Sequence, residues 1–110
     1  MMKIRVKSVH FTVDSKLVGY IEKKLSRLDR FFERTIEAEV MLKLQDTGSK
    51  VREKIVEVHL KVPGGVILDK KTGRTFEAAL DVSVETLKRR LVKFKEKLSE
   101  RKGTDLALEE

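Results

Sequence analysis

The chain has no cysteine and no tryptophan, a single proline, and aromatic residues at only 5% of its 110 positions. Without cysteine there is no disulfide, no thiolate nucleophile and no cysteine-ligated metal. So few aromatics argue against a surface that stacks successive bases of a single strand. No run approaches the ~18 apolar residues of a membrane span, and the opening MMKIRVKSV lacks the long apolar core of a secretory signal. The expectation is a cytoplasmic protein without a membrane partner.

What the chain has is charge on a folded framework. Apolar residues make up 40% and charged residues 39%, with 25 Lys/Arg against 18 Asp/Glu, a formal net charge of +7. That apolar share supports one compact domain, and the basic excess favours phosphate-bearing partners through release of their counterions.

Residues 3–8 alternate, Ile4 and Val6 to one side and Lys3, Arg5 and Lys7 to the other, as in a half-buried strand. Asp14 is placed to cap a helix over 15–32, whose Leu17, Ile21, Leu25, Leu28 and Phe32 recur at helical spacing. Alternation returns over 36–44 and ends at the turn-prone Asp46-Thr47-Gly48-Ser49. A third strand covers 51–62, and Pro63-Gly64-Gly65 turns the chain into a fourth over 66–70. There Val66, Ile67 and Leu68 are consecutive, so periodicity leaves the facing of that strand open. A second helix runs over 75–101, followed by a short, flexible, slightly acidic tail at 103–110. The result is an α+β domain over residues 1–102, ordered β-α-β-β-β-α. Its four-stranded sheet carries two helices on one face, and the first crossover leaves its strands parallel.

The last helix is the densest in charge: TLKRRLVKFKEKLSERK (86–102) holds eight Lys/Arg and two acids. Leu87, Leu91, Phe94 and Leu98 give it an apolar face, while Arg89, Arg90, Lys93 and Lys97 form a basic stripe. On the first helix Lys16, Lys23, Arg27 and Arg30 fall within ~60° of one another, and Glu22, Asp29 and Glu33 gather on the opposite flank. A Lys/Glu-rich helix face is usually just a solvated face. Segregation in the same sense on two helices that pack side by side points instead to a surface for a polyanion, nucleic acid first. Lys3, Arg5 and Lys7 should meet Glu37 and Glu39 across the open face of the sheet, as ordinary cross-strand pairs.

Nothing in the sequence assembles an active site. His10 and His59 are far apart and lack the partners of a metal or acid–base motif, and no phosphate-binding glycine loop is present. Tyr20 reads as packing at the edge of the first helix's apolar stripe. The expectation is therefore no catalytic residue, no metal, no cofactor and no small-molecule substrate.

Three stretches carry a family resemblance: LSRLDRFFER at 25–34, the Gly64-Gly65 turn, and TFEAALDVSVETLKRRLVKFKEKL at 75–98. Across about residues 3–98 the chain resembles the ribosome hibernation promoting factors. That family includes the ribosome-associated inhibitor called protein Y, and its members were formerly called sigma-54 modulation proteins. Arg89, Lys93, Lys95 and Lys97 match the family's basic positions; where members carry another lysine near Thr86, this chain has Lys88. The resemblance implies a fold akin to double-stranded RNA-binding domains and a non-enzymatic factor docked in the small ribosomal subunit, between head and body. There it would overlap the mRNA path and the A- and P-site tRNA positions. A chain ending at Glu110 resembles the short members, closer to the hibernation-promoting branch than to the inhibitor branch, and would be monomeric when free.

The RNA-binding candidates are accordingly Lys23, Arg27, Arg30, Lys88, Arg89, Arg90, Lys93, Lys95 and Lys97. Two other readings compete. A general double-stranded RNA-binding module would bind free duplex by shape. A protein-interaction modulator of transcription would be indifferent to neutralisation of the helical basic face.

Overall fold

The computed structural model describes residues 2–35, 37–46 and 52–109, with side chains over 2–35, 37–45 and 53–99. The elements are β1 (Lys3–Ser8), α1 (Ser15–Ser26), a 3-10 helix at Arg27–Arg30, β2 (Glu37–Asp46), β3 (Arg52–Val62), β4 (Gly65–Gly73) and α2 (Phe76–Glu109). Sheet order is β1-β2-β3-β4, parallel between β1 and β2 and antiparallel thereafter. This is the expected α+β, β-α-β-β-β-α architecture. The turn expected at 46–49 lies outside the described residues beyond Asp46.

Alternation decides which sheet face is buried. The register sets Ile4 beside Ala38 and Val6 beside Val40; on the next strand Leu60, Val58 and Val56 oppose Ala38, Val40 and Leu42. The β2 and β3 members of this set are fully buried, joined by Ile21 and Leu25 from α1 and Leu80, Leu87 and Leu91 from α2. Both helices therefore cover one face of the sheet. Phe32 and Phe94 meet edge to face at 5.4 Å, extending the core towards the far end of the helix pair.

Local chemistry fixes the element ends. The Asp14 carboxylate accepts from the Leu17 N–H at 2.8 Å, capping α1, and the Thr75 hydroxyl accepts from the Ala78 N–H at 3.0 Å at the start of α2. Thr75 is thus the cap rather than the first helical residue. Between β3 and β4, Val62 pairs with Gly65, leaving Pro63-Gly64 as the two-residue loop. Gly64 has φ +84°, the value the second central position of a type II turn demands and one that glycine adopts without strain. At the other end of β4, a Cβ on Gly73 would stand 3.2 Å from the Ala79 nitrogen, so glycine permits the close approach of strand and helix.

Three boundaries differ from the sequence reading. The first helix changes to 3-10 geometry at Arg27 and ends at Arg30, short of the expected Phe32. The strand expected over 66–70 extends over Gly65–Gly73. Helical backbone in α2 continues past the expected end at Arg101, through Gly103 to Glu109. A glycine costs a helix about 1 kcal/mol relative to alanine but keeps its N–H, unlike proline, and Leu106, Ala107 and Leu108 are good helix formers.

The structure also settles the facing of β4. Ile67, Asp69 and Lys71 align with Leu60, Val58 and Val56 on the helix-covered side, while Val66, Leu68 and Lys70 point outward. Asp69 is buried there, its charge offset by Lys71 at 2.6 Å. Among the described residues no helix is long and apolar enough to cross a membrane.

Candidate nucleic-acid interface

Two clefts open where α1 and its 3-10 extension lie against α2. The first, of about 330 Å³, is lined by Lys24, Arg27, Leu28, Arg30, Phe31, Asp81, Val84, Glu85 and Lys88. The second, of about 520 Å³, continues it along α2 and is lined by Arg30, Phe31, Val92, Lys95, Glu96 and Ser99. The 3-10 segment matters to this geometry. At three residues per turn, side chains i and i+3 eclipse, so Arg27 and Arg30 project in the same direction. On α2, Lys88 and Lys95 are two turns apart on the flank that faces them.

All but one of the groove's cations are free among the described residues. Among the described residues Arg27, Arg30, Lys88 and Lys95 make no ion pair, whereas Lys24 is held 3.6 Å from Asp81. Asp81 also accepts the Tyr20 hydroxyl at 2.6 Å, and this hydrogen bond, more than burial, raises the phenol above its ordinary value of 10.0. Tyr20 therefore ties α1 to α2 through its hydroxyl, a role that its place at the edge of the apolar stripe did not reveal. Lys88 sits 5.0 Å from the centroid of the Phe31 ring.

The other flank of α2 makes a second basic surface. Arg90, Lys93 and Lys97 line a shallow cleft with Val66, Ile67, Leu68 and Phe94, against the free edge of β4. The Arg90 guanidinium donates to the Leu68 carbonyl there, so this residue pins α2 to the edge strand as well as contributing charge. Arg89 is exposed on the outer surface between the two flanks. Lys23 is exposed but lines none of these clefts; its neighbour Lys24 does.

The nine candidates thus fall into distinct places. Arg27, Arg30, Lys88 and Lys95 converge on the groove between the helices. Arg90, Lys93 and Lys97 gather beside β4, while Lys23 and Arg89 stand apart. Lys24 and Phe31 are groove residues that the sequence reading missed, because a groove between two helices is invisible to the periodicity of either one.

The open sheet face is built differently. Glu37 lies 3.0 Å from Arg5 and 2.9 Å from Lys61, Glu39 lies 3.5 Å from Lys7, and Glu57 lies 3.1 Å from Lys43 and 3.0 Å from His59. The Lys61 hydrogen bond, reinforced by the charge of Arg5, holds the Glu37 carboxyl below the usual glutamate range; hydrogen bonds from His59 and Lys43 do the same for Glu57. No group of three or more potential ligands that could hold a metal occurs among the described residues.

A β-α-β-β-β-α domain of this topology belongs to a known class. The pattern of the sigma 54 modulation protein / S30EA ribosomal protein family matches residues 4–99. The chain belongs to that family, whose members are non-enzymatic factors. It is 33% identical over 100 residues to the ribosome hibernation promoting factor of Azotobacter vinelandii, an alignment covering 91% of this chain and 89% of that one. It is also 42% identical over 76 residues to the ribosome hibernation promotion factor of Deinococcus radiodurans, covering 69% of this chain but only 40% of that longer protein. The crystal structure of the Thermus thermophilus protein Y N-terminal domain superposes with a TM-score of 0.73 at 26% identity, over 86% of this chain and 99% of that one.

Proposed function

We propose that this protein is a ribosome hibernation factor that docks its helical side on the rRNA of the small ribosomal subunit. The carrying observation is the groove between α1 and α2, where Arg27, Arg30, Lys88 and Lys95 converge, without ion pairs among the described residues, on a core-anchored framework. Unpaired cations on an anchored backbone meet phosphates without first giving up an ion pair, and they read backbone shape more than sequence. The names of the Azotobacter and Deinococcus relatives, ribosome hibernation factors both, support the ribosome as the partner. Bound there as a monomer in the cytoplasm, the domain would exclude mRNA and the A- and P-site tRNAs and so silence the subunit.

Co-sedimentation with purified subunits over a salt series tests this. Binding should be confined to the small subunit and should weaken by orders of magnitude between low and moderate salt if about six or more phosphates are neutralised. In a cell-free translation reaction the protein should lower peptide synthesis, and excess tRNA with initiation factors should relieve the inhibition. Tighter binding to free RNA duplex than to assembled subunits would favour the general duplex-binding reading. Binding indifferent to salt would remove the phosphate mechanism altogether.

A further inference from the structure

Phosphates alone do not account for the groove. Phe31 is only partly buried, and its ring forms a wall shared by both clefts. The first cleft also has apolar walls, Leu28 and Val84, and presents the carboxylate of Glu85 beside its cations. A carboxylate repels phosphate, and an aromatic ring has nothing to offer it. Both suit a nucleobase, which stacks by its faces and donates through exocyclic amino groups at its edge. The cleft's volume of about 330 Å³ lies within the range of pockets that hold small flat ligands.

We propose that Phe31 and the cleft it walls receive the base of one unpaired RNA nucleotide, with Glu85 accepting from the base's exocyclic amino group. Arg27, Arg30 and Lys88 hold the flanking phosphates. Lys88, whose ammonium stands over the Phe31 ring at 5.0 Å, swings off that face to a flanking phosphate as the base stacks. This rests on the rRNA-docking reading above and adds a contact that a regular duplex cannot supply, since bases stacked inside an A-form helix do not reach a side-chain cleft. It also reconciles a chain poor in aromatics with base contact. One placed ring serves one extruded base, whereas a platform for a whole strand needs several.

The test uses the full chain with purified small subunits. With the photo-crosslinking residue p-benzoylphenylalanine at position 31, irradiation should join the protein to the base of an unpaired rRNA nucleotide. Phe31→Leu preserves apolar packing but removes the stacking face. It should weaken subunit binding about tenfold, with the slope of log affinity against log salt unchanged because no phosphate contact is lost. Phe31→Trp should restore the affinity, and Glu85→Gln should weaken binding less than Phe31→Leu does. Thermal melting of each variant separates a folding defect from a binding one; should Phe31→Leu melt early, the crosslink decides. Crosslinks confined to ribosomal proteins or to paired rRNA, or a well-folded Phe31→Leu variant with wild-type affinity, would overturn the base-binding proposal and leave the docking reading standing. Failure of the wild-type protein to co-sediment with small subunits at low salt would overturn both.

Discussion

The two faces of this domain use the same residue types in opposite ways. On the open sheet face, Arg5, Lys7, Lys43 and Lys61 each find a glutamate on a neighbouring strand within 3.5 Å. Between the helices, Arg27, Arg30, Lys88 and Lys95 find none among the described residues, although Glu85 and Glu96 line the same clefts. These four cations share three glutamates, Glu37 serving both Arg5 and Lys61, so much of their field is offset close to its source. The groove keeps its positive potential for something outside the molecule. Counting charges would not separate the two faces; pairing does.

The sharpest way to break this comparison is to strip the groove. Arg27→Gln, Lys88→Gln and Lys95→Gln together remove three free cations and little helix propensity. Near 0.1 M salt, affinity for small subunits should fall by about two orders of magnitude, and the log–log salt slope should flatten by about three units. Stability in urea should change by no more than about 0.5 kcal/mol per site, as at ordinary surface positions. Unchanged affinity in a folded triple variant would move recognition away from the groove, with the Arg90, Lys93 and Lys97 flank next in line.

A core substitution sharpens the same contrast from inside. Leu91 is fully buried beneath the basic turns of α2, so Leu91→Ala should cost roughly 2–5 kcal/mol of unfolding free energy. The molecules that remain folded should bind subunits with the wild-type salt slope. A shallower slope would mean that Leu91 also holds the free cations in position.

Much of this was legible in advance. Alternation in β1, β2 and β3 gave their inward faces, and Asp14 announced the start of α1, because each signal is local. The cross-strand match of Arg5 and Lys7 with Glu37 and Glu39 also followed from alternation and strand order. The fourth strand resisted: three consecutive apolar residues hide a period of two, and the inward set then places Asp69 and Lys71 on the covered side, a pairing no hydropathy pattern announces. The groove resisted for a different reason. Each helix wheel showed a basic stripe, but the stripes do not merge, since α2 turns Lys88 and Lys95 towards α1 and Lys93 and Lys97 towards β4. Which flank meets which neighbour is a tertiary fact. The 3-10 segment that brings Arg27 and Arg30 into line leaves no trace in the apolar spacing.

Acid should act on the sheet face first. Glu37 and Glu57 have folded-state affinities for protons below the ordinary glutamate value of 4.5, through Lys61 and Arg5 for the first and His59 and Lys43 for the second. A carboxylate lowered by folding contributes stability that is fully present above its unfolded value and is lost as pH falls through the folded one. Urea midpoints should therefore be flat down to about pH 5 and decline below it. Glu37→Gln should blunt that decline. An equally steep decline in the variant would place the acid-sensitive groups elsewhere.

The smallest effect is expected where charge is most conspicuous and least free. Lys7 and Lys43 are about half and one-third exposed and already paired, with Glu39 at 3.5 Å and Glu57 at 3.1 Å. Exposed pairs of this kind contribute about 0–1 kcal/mol each, because solvent screens them and two side chains must be ordered to form them. The double variant Lys7→Gln, Lys43→Gln should thus melt close to wild type. It removes two positive charges from the chain, nearly as many as the groove variant, so a mechanism driven by net charge predicts a comparable loss of subunit binding. A mechanism driven by free cations in the groove predicts affinity and salt slope within error of wild type. Measured side by side, the two variants ask whether the ribosome responds to how much charge this domain carries or to where that charge has no partner. A loss in the sheet-face variant matching that of the groove variant would show that the paired ladder opens on binding, and the distinction between the two faces would then describe only the free protein.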